Sequence, residues 1–260
     1  MTTIDSGVLR RAVLALCVAA SVAGLPARAA EPTASAPAAE QPVFSEAENL
    51  LWMTDQLKAV TSPSVLTYGF VKDGSYEQGF EDRVTFTVSK INPDGMKAAA
   101  IEFFTGQRNF PVPPVDSTDV NPVLKVYFQG DVYEMNRLTD PDGKSRERWR
   151  YFQRRIKFAL AESAKVEPVE FEFEGRKYAG KRISFEPYKQ DPKRAMFEKF
   201  ADKRYSVIVA DELPGYVYEI VTEVPDKQAP VPLLRDTLRL QSVAPYEPKP
   251  AATSKQAAQR

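Results

Sequence analysis

Apolar side chains recur along this chain at two spacings, every second residue in some stretches and every three to four in others, and the switches between them predict its elements. From Val169 to Val224 the spacing is mostly two. Val169, Phe171 and Phe173 alternate with Glu170, Glu172 and Glu174, which predicts a half-buried strand with one apolar and one anionic face. Gly175 and Arg176 predict a tight turn, and the return through Lys177, Lys181, Ile183 and Phe185 sets cations across from the glutamates as a solvated face. Asp191-Pro192 predicts a short helix, since Asp accepts free amide hydrogen bonds and Pro at the first helical position gives up none; Ala195, Met196, Phe200 and Ala201 form its packing side. Tyr205–Val209 and Tyr216–Val224 then flank Glu212-Leu213-Pro214-Gly215, the residue order of a type II turn, and predict a second hairpin.

The remaining pattern extends this plan. Ser45 and Glu48 form a capping box ahead of Ala47, Leu50, Leu51, Thr54 and Leu57, an apolar stripe at helical spacing that Trp52 and Met53 widen. Ser64–Val71, Phe80–Ile91 and Met96–Thr105 read as an antiparallel meander, the second strand facing inward with Val84, Phe86 and Val88 and turning at Asn92-Pro93-Asp94-Gly95. The prolines between Asn109 and Val120 remove ladder donors, so that stretch is expected to be a surface loop. Val123–Phe128 reads as a strand and Val132, Met135 and Leu138 as a helix after it. The strongest amphipathic pattern follows: Trp149, Phe152, Ile156, Ala159 and Leu160 make one stripe, and Arg146, Arg148, Arg150, Arg154, Arg155 and Lys157 cover the other sides. A last strand alternates Leu238 and Leu240 with Thr237, Arg239 and Gln241.

Two segments fall outside these periods. Arg10-Arg11 precedes an apolar run from Ala12 to Leu25, and Ala27-Arg28-Ala29 supplies small residues for a signal peptidase, so residues 1–29 read as a secretory signal peptide. Cys17 and Arg10-Arg11 leave a lipoprotein box and a twin-arginine signal as alternatives, and ordinary secretion fits better. Residues 30–43 read as a flexible leader, 44–246 as a single α+β domain and 247–260 as a disordered tail.

Composition narrows the chemistry. The chain has no His and a single Cys, which lies in the signal segment. Disulfides, thiolate nucleophiles, imidazole bases and common zinc or copper sites are thereby removed from the mature chain, and no cofactor is expected. Lys plus Arg and Asp plus Glu both number 35, a balance that predicts no nucleic-acid partner. No stretch of the mature chain reads as a transmembrane segment.

The candidate site is the arginine-rich helix: Arg150, Arg154 and Arg155 could hold an anionic head group while Trp149 and Phe152 border an apolar pocket. The plainer reading of its cations is a solvated face. Asp131 and Glu134 could form an acid-base pair, but a helix cap and a first-turn acid explain them more simply. Glu102, flanked by Ile101 and Phe103, is expected to be exposed. Asp140-Pro141-Asp142-Gly143 lacks the further ligands of a calcium loop. The strand aromatics Tyr68, Phe70, Phe103, Phe104, Tyr127, Phe128, Tyr216 and Tyr218 fit either a cavity lining or the core of a curved sheet.

A capped helix, a strand meander, a helical insertion and further strands make an element order that resembles the periplasmic lipoprotein-carrier group of LolA and LolB. The resemblance spans most of the mature chain without a specific motif. It implies a strongly curved antiparallel sheet, a half-open β-barrel, with an N-terminal helix and inserted helices over one face, and the binding of acyl chains. The expected function is accordingly a non-catalytic periplasmic carrier or binding protein for a lipid or other hydrophobic ligand. The alternative is an envelope accessory module that binds another periplasmic or outer-membrane protein. The exported protein is expected to begin at Ala30, which intact mass of material recovered from the periplasm would check; a diacylated species starting at Cys17 would contradict it.

Overall fold

The computed structural model describes residues 43–140, 142 and 148–248. The signal segment, most of the leader, the tail from residue 249 and Arg146 lie outside the described residues. The described chain opens with a helical segment, α1 (Glu46–Glu48), which continues as a π-helical turn over Asn49–Met53. Four strands follow, β1 (Ser64–Asp73), β2 (Phe80–Ile91), β3 (Lys97–Phe103) and β4 (Val115–Thr118), each paired antiparallel with the next. Two helices, α2 (Pro122–Thr139) and α3 (Arg148–Glu162), lead to β5 (Lys165–Phe173), β6 (Arg176–Phe185), β7 (Arg204–Val209), β8 (Val217–Val224) and β9 (Leu234–Pro245). The final strand closes against the first, giving one curved, unclosed sheet in the order β4-β3-β2-β1-β9-β8-β7-β6-β5.

This order dictates the placement of the helices. The chain leaves the sheet at one edge, β4, and re-enters at the other, β5. Nine strands at a spacing of roughly 4.8 Å make an arc of about 38 Å, while the 18 residues of α2 reach only about 27 Å. Curvature brings the two edges nearer to each other and lets both helices of the connection lie across the inner face. That face is apolar over most of its breadth, with Leu66, Tyr68, Phe86, Ile183, Val207, Ile220 and Leu238 buried under the helices. The aromatic strand positions Tyr68, Phe70 and Phe103 are core residues.

Several sequence expectations change here. Val123–Phe128 is not a strand but the first half of α2. Its start is fixed by Asn121, whose Oδ1 accepts from the Val123 amide at 3.0 Å, and by Pro122 at the first helical position. Asp131 and Glu134 therefore sit in mid-helix and cap nothing. The proline-rich stretch holds a short edge strand, β4, which begins directly after the last of its prolines and so keeps every donor in its four residues. The N-terminal helix ends at Met53, which is exposed, and Leu57 packs from the turn beyond it. After Asp191 the chain makes two 3-10 turns, Arg194–Met196 and Glu198–Asp202; Phe197, Phe200 and Ala201 face the core, whereas Ala195 and Met196 are exposed.

The hairpin of β5 and β6 turns at Glu174-Gly175, both with positive φ, one residue earlier than expected. Its apolar residues also take a different partner face. Phe171 pairs with Tyr178, which by alternation lies on the opposite side of the sheet from Ile183 and Phe185. Phe171 instead stacks on Tyr178 and on Tyr218, at ring-centroid distances of 5.6 and 4.0 Å. Glu102 is exposed and Glu172 faces Lys177, as the alternation predicts.

The Pro214-Gly215 turn has the expected form: Tyr216 N donates to Leu213 O at 2.8 Å and Gly215 has φ +77°. A Cβ at Gly215 would also drive into the Leu66 side chain. Gly215→Ala is expected to cost about 2 kcal/mol or more in urea unfolding, from backbone strain plus overpacking.

Candidate functional site

Two polar assemblies fix α2 on the inner face. At its N-terminal end the buried Asn121 is a hub. Its Nδ2 donates to Tyr68 Oη at 3.0 Å and to Gly215 O at 2.7 Å, and its amide donates to Gln56 Oε1 at 2.9 Å. The side chain thus joins β1 and the β7–β8 turn to the start of α2, and the backbone amide of the same residue adds the segment after α1. Burial pushes the Tyr68 hydroxyl well up from its ordinary value despite the Asn121 hydrogen bond, so it stays a neutral partner.

Further along α2 the inner face changes character. Lys72, Asp236, Thr222 and Tyr205 stand directly opposite one another on β1, β9, β8 and β7, a polar row crossing four strands. The helix answers it residue by residue. Asp131 pairs with buried Lys203 and accepts from Tyr205 Oη at 2.8 Å, and Tyr205 Oη lies 3.2 Å from Tyr188 Oη. Glu134 lies 2.6 Å from Lys72 and 2.7 Å from Arg137, and Glu77 pairs with both of those cations. Burial opposes the charge on Lys72, but Asp236, Glu134 and Glu77 outweigh it and raise its pKa. Burial also raises Glu134, yet hydrogen bonds from Arg137 and Lys72 overcome this and hold it down at about 2. Tyr127 and Tyr205 are pushed upward, chiefly by burial and then by neighbouring carboxylates.

An apolar cleft of about 490 Å³ lies where the π-helical turn, α2 and α3 meet. Trp52, Phe128, Val132, Ile156 and Leu160 form its walls. Trp52 meets Phe128 edge-on at 5.9 Å, and the α1 cap holds the entrance together because Ser45 Oγ donates to Leu160 O at 2.9 Å. Gln129 lines the cleft, and its Nε2 is buried without a hydrogen-bond partner. Exposed Lys125 and Lys157 flank it, and the one carboxylate in its lining, Glu48, is engaged by the Ser45 amide. An apolar slot with one orphaned donor and a cationic margin suits an amphiphile that has an acceptor near the head of its chain.

The five residues predicted to bind ligand do not converge. Phe152 is fully buried, 5.5 Å from Tyr188 and 5.3 Å from Phe197 between ring centroids. Arg155 Nε lies 2.7 Å from Asp191 Oδ2, close but not aligned as a hydrogen bond, and Asp191 also accepts from Tyr151 Oη. Trp149 packs edge-on against Tyr133, with Arg150 over its ring at 5.3 Å, and exposed Arg154 lies 6.0 Å from the Tyr151 ring. By helical spacing Arg150 and Arg154 stand one turn before Gln153 and Lys157, which line the cleft. Sequence reasoning missed Trp52 and Gln129 as cleft residues, and offered Phe128 only among strand aromatics that fit either a cavity lining or a core. The capping box and the apolar spacing around Val132 were visible signals, but reading Val123–Phe128 as a strand scattered these side chains over different faces. Asp131 and Glu134 are not a shared acid-base pair, since each is engaged by its own cation.

No family model matches the chain, and no curated protein matches it. Solved structures do match in outline. The lipoprotein LppX of Mycobacterium tuberculosis is 10% identical over 76% of this chain and 95% of its own, with a TM-score of 0.31. LprF from Mycobacterium bovis is 14% identical over 80% and 99%, with a TM-score of 0.29. A LolA superfamily protein from Nitrosomonas europaea is 8% identical over 80% and 96%, with a TM-score of 0.24. The last of these bears the name of the fold group that the element order resembles. Scores this low carry nothing about a ligand, which has to be argued from the cleft.

The lowered Glu134 carboxyl makes stability depend on acid. A depressed carboxylate stabilises the fold above its unfolded value and loses that contribution as pH falls through the folded one. Glu134→Gln is expected to lower stability by about 2–3 kcal/mol at neutral pH, with the deficit shrinking between about pH 4.5 and 2, measured by urea unfolding across pH.

Proposed function

We propose that this protein is an exported, non-catalytic carrier for a hydrophobic ligand, and that the ligand's apolar chain occupies the cleft between the π-helical turn, α2 and α3. The observation that carries this reading is the pairing of apolar walls with the unsatisfied Gln129 amide. A cleft left over from imperfect packing would have no reason to bury a donor without a partner, because an unmet donor costs about 1–3 kcal/mol. The cleft volume of about 490 Å³ falls within the range typical of small-molecule sites. Lys125 and Lys157, continued by Arg154 and Arg150 along α3, give the cleft margin a positive side where an anionic or phosphate-bearing head group would rest. Phe152 and Arg155 support α3 from behind in this reading and do not touch the ligand. No described helix is long and apolar enough to cross a membrane.

Displacement of a fluorescent fatty acid, with thermal melts in parallel, tests the assignment. Gln129→Leu and Trp52→Ala are each expected to weaken binding about tenfold, corresponding to roughly 1.4 kcal/mol. Their melts should shift little, because neither side chain is fully buried. Lys157→Gln should weaken only probes with an anionic head. Parent protein that binds no probe, or variants that bind as well as the parent, would remove the cleft as the site.

A further inference from the structure

We propose that Asp236 is a proton-operated catch for α2, which is gripped firmly against the sheet at acid pH and held more loosely at neutral pH. Asp236 stands in the centre of the cross-strand row, between Lys72 and Thr222, and its Oδ1 is buried without a hydrogen-bond partner. The groups acting on it come from every side of the seam: Asp131, Glu134 and Tyr127 on α2, Lys72 on β1, Thr222 on β8 and Lys203 just before β7. Glu77 and Arg137 stand beside Lys72 and Glu134, and Tyr205 and Tyr188 lie beyond Asp131.

Charge balance gives the direction. The cluster holds the four carboxylates of Glu77, Asp131, Glu134 and Asp236 against the three cations of Lys72, Arg137 and Lys203, so full ionisation leaves one negative charge uncompensated. Two of the four carboxylates, Asp131 and Glu134, belong to α2 and hold it through Lys203 and Lys72. An ionised Asp236 attracts the same two ammonium groups and repels both helix carboxylates across poorly solvated space. A proton on Asp236 removes the competition and the repulsion together.

Burial, aided by Asp131 and Glu134, pushes the Asp236 carboxyl up to about 6 against the pull of Lys203 and Lys72. The folded state therefore takes up this proton before the unfolded chain does. The penalty of ionisation grows as pH rises from the ordinary carboxyl value and is complete above about 6. With no histidine in the chain, a side-chain transition in this range has to come from a displaced carboxyl. Phe128, Gln129 and Val132 carry the helix's share of the cleft, so looser seating of α2 would also speed ligand exchange. That consequence rests on the carrier reading, whereas the motion of α2 does not.

Hydrogen exchange by mass spectrometry on the ligand-free protein separates the two. After correction for intrinsic rates, α2 amides of the parent are expected to exchange about tenfold more slowly near pH 5 than near pH 7.5. Asp236→Asn should exchange slowly at both and melt higher than the parent at neutral pH. Glu134→Gln, which leaves Lys72 to Glu77 and removes its grip on α2, should exchange faster at both. Equal corrected rates in the parent at the two pH values, a pH difference retained in Asp236→Asn, or a lower melting temperature for that variant would each overturn the proposal. A failed lipid-binding assay alongside the expected exchange pattern would remove the carrier reading and leave the catch standing.

Discussion

The seat of α2 on the inner face is the constraint on which the rest of the structure depends. Strand order forces a connection from one sheet edge to the other, and the only short path lies across the concave side. Once there, the helix must cover apolar rows and satisfy the polar groups that it buries. Asn121 does this at one end by tying four segments through its side chain and its backbone amide together, and Asp131 and Glu134 do it further along through Lys203 and Lys72. The cleft inherits its position from this seating, because Phe128 packs inward on Tyr205 and outward on Trp52.

The ionic row invites comparison with the apolar sheet around it. Replacing a buried ion pair by well-packed hydrophobic residues is often neutral or stabilising, so these pairs are poor candidates for bulk stability. Their value lies in register. An apolar face alone would accept α2 rotated or shifted by a turn, whereas the Asp131–Lys203 and Glu134–Lys72 pairs both form at one setting only. The same row bounds the apolar region, since a hydrophobic chain gains nothing by extending over Lys72, Asp236 and Lys203.

On α3 the division of labour follows helical geometry. Phe152 and Ile156 turn to the core, Arg155 braces Asp191 at the start of the 3-10 turns, and Gln153 and Lys157 face the cleft. Cations that look alike in sequence thereby have different roles, and neighbouring positions such as Arg154 and Arg155 differ because they lie about 100° apart around the axis.

Features that depend on local periodicity and local sterics could be read from the residues alone. The β2 strand with Val84, Phe86 and Val88 inward, the type II turn at Pro214-Gly215, the capping box at Ser45 and the apolar stripe of α3 were all legible. Each is set by residues within a few positions of one another. Only packing settled which way α2 would read, because Val123–Phe128 is apolar at every position but Lys125 and fits either element, and burial of those five side chains with Lys125 left outside selected the helix. It also decided that Asp131, buried, and Glu134, half-buried, would be partners of cations 72 and 62 positions away in the chain, and that Asp236 would face them. Such pairings follow from strand order and from the crossing of α2 over the sheet. No local pattern encodes a partner that distant, so the charged seam and the cleft beside it exist only once the sheet has curved.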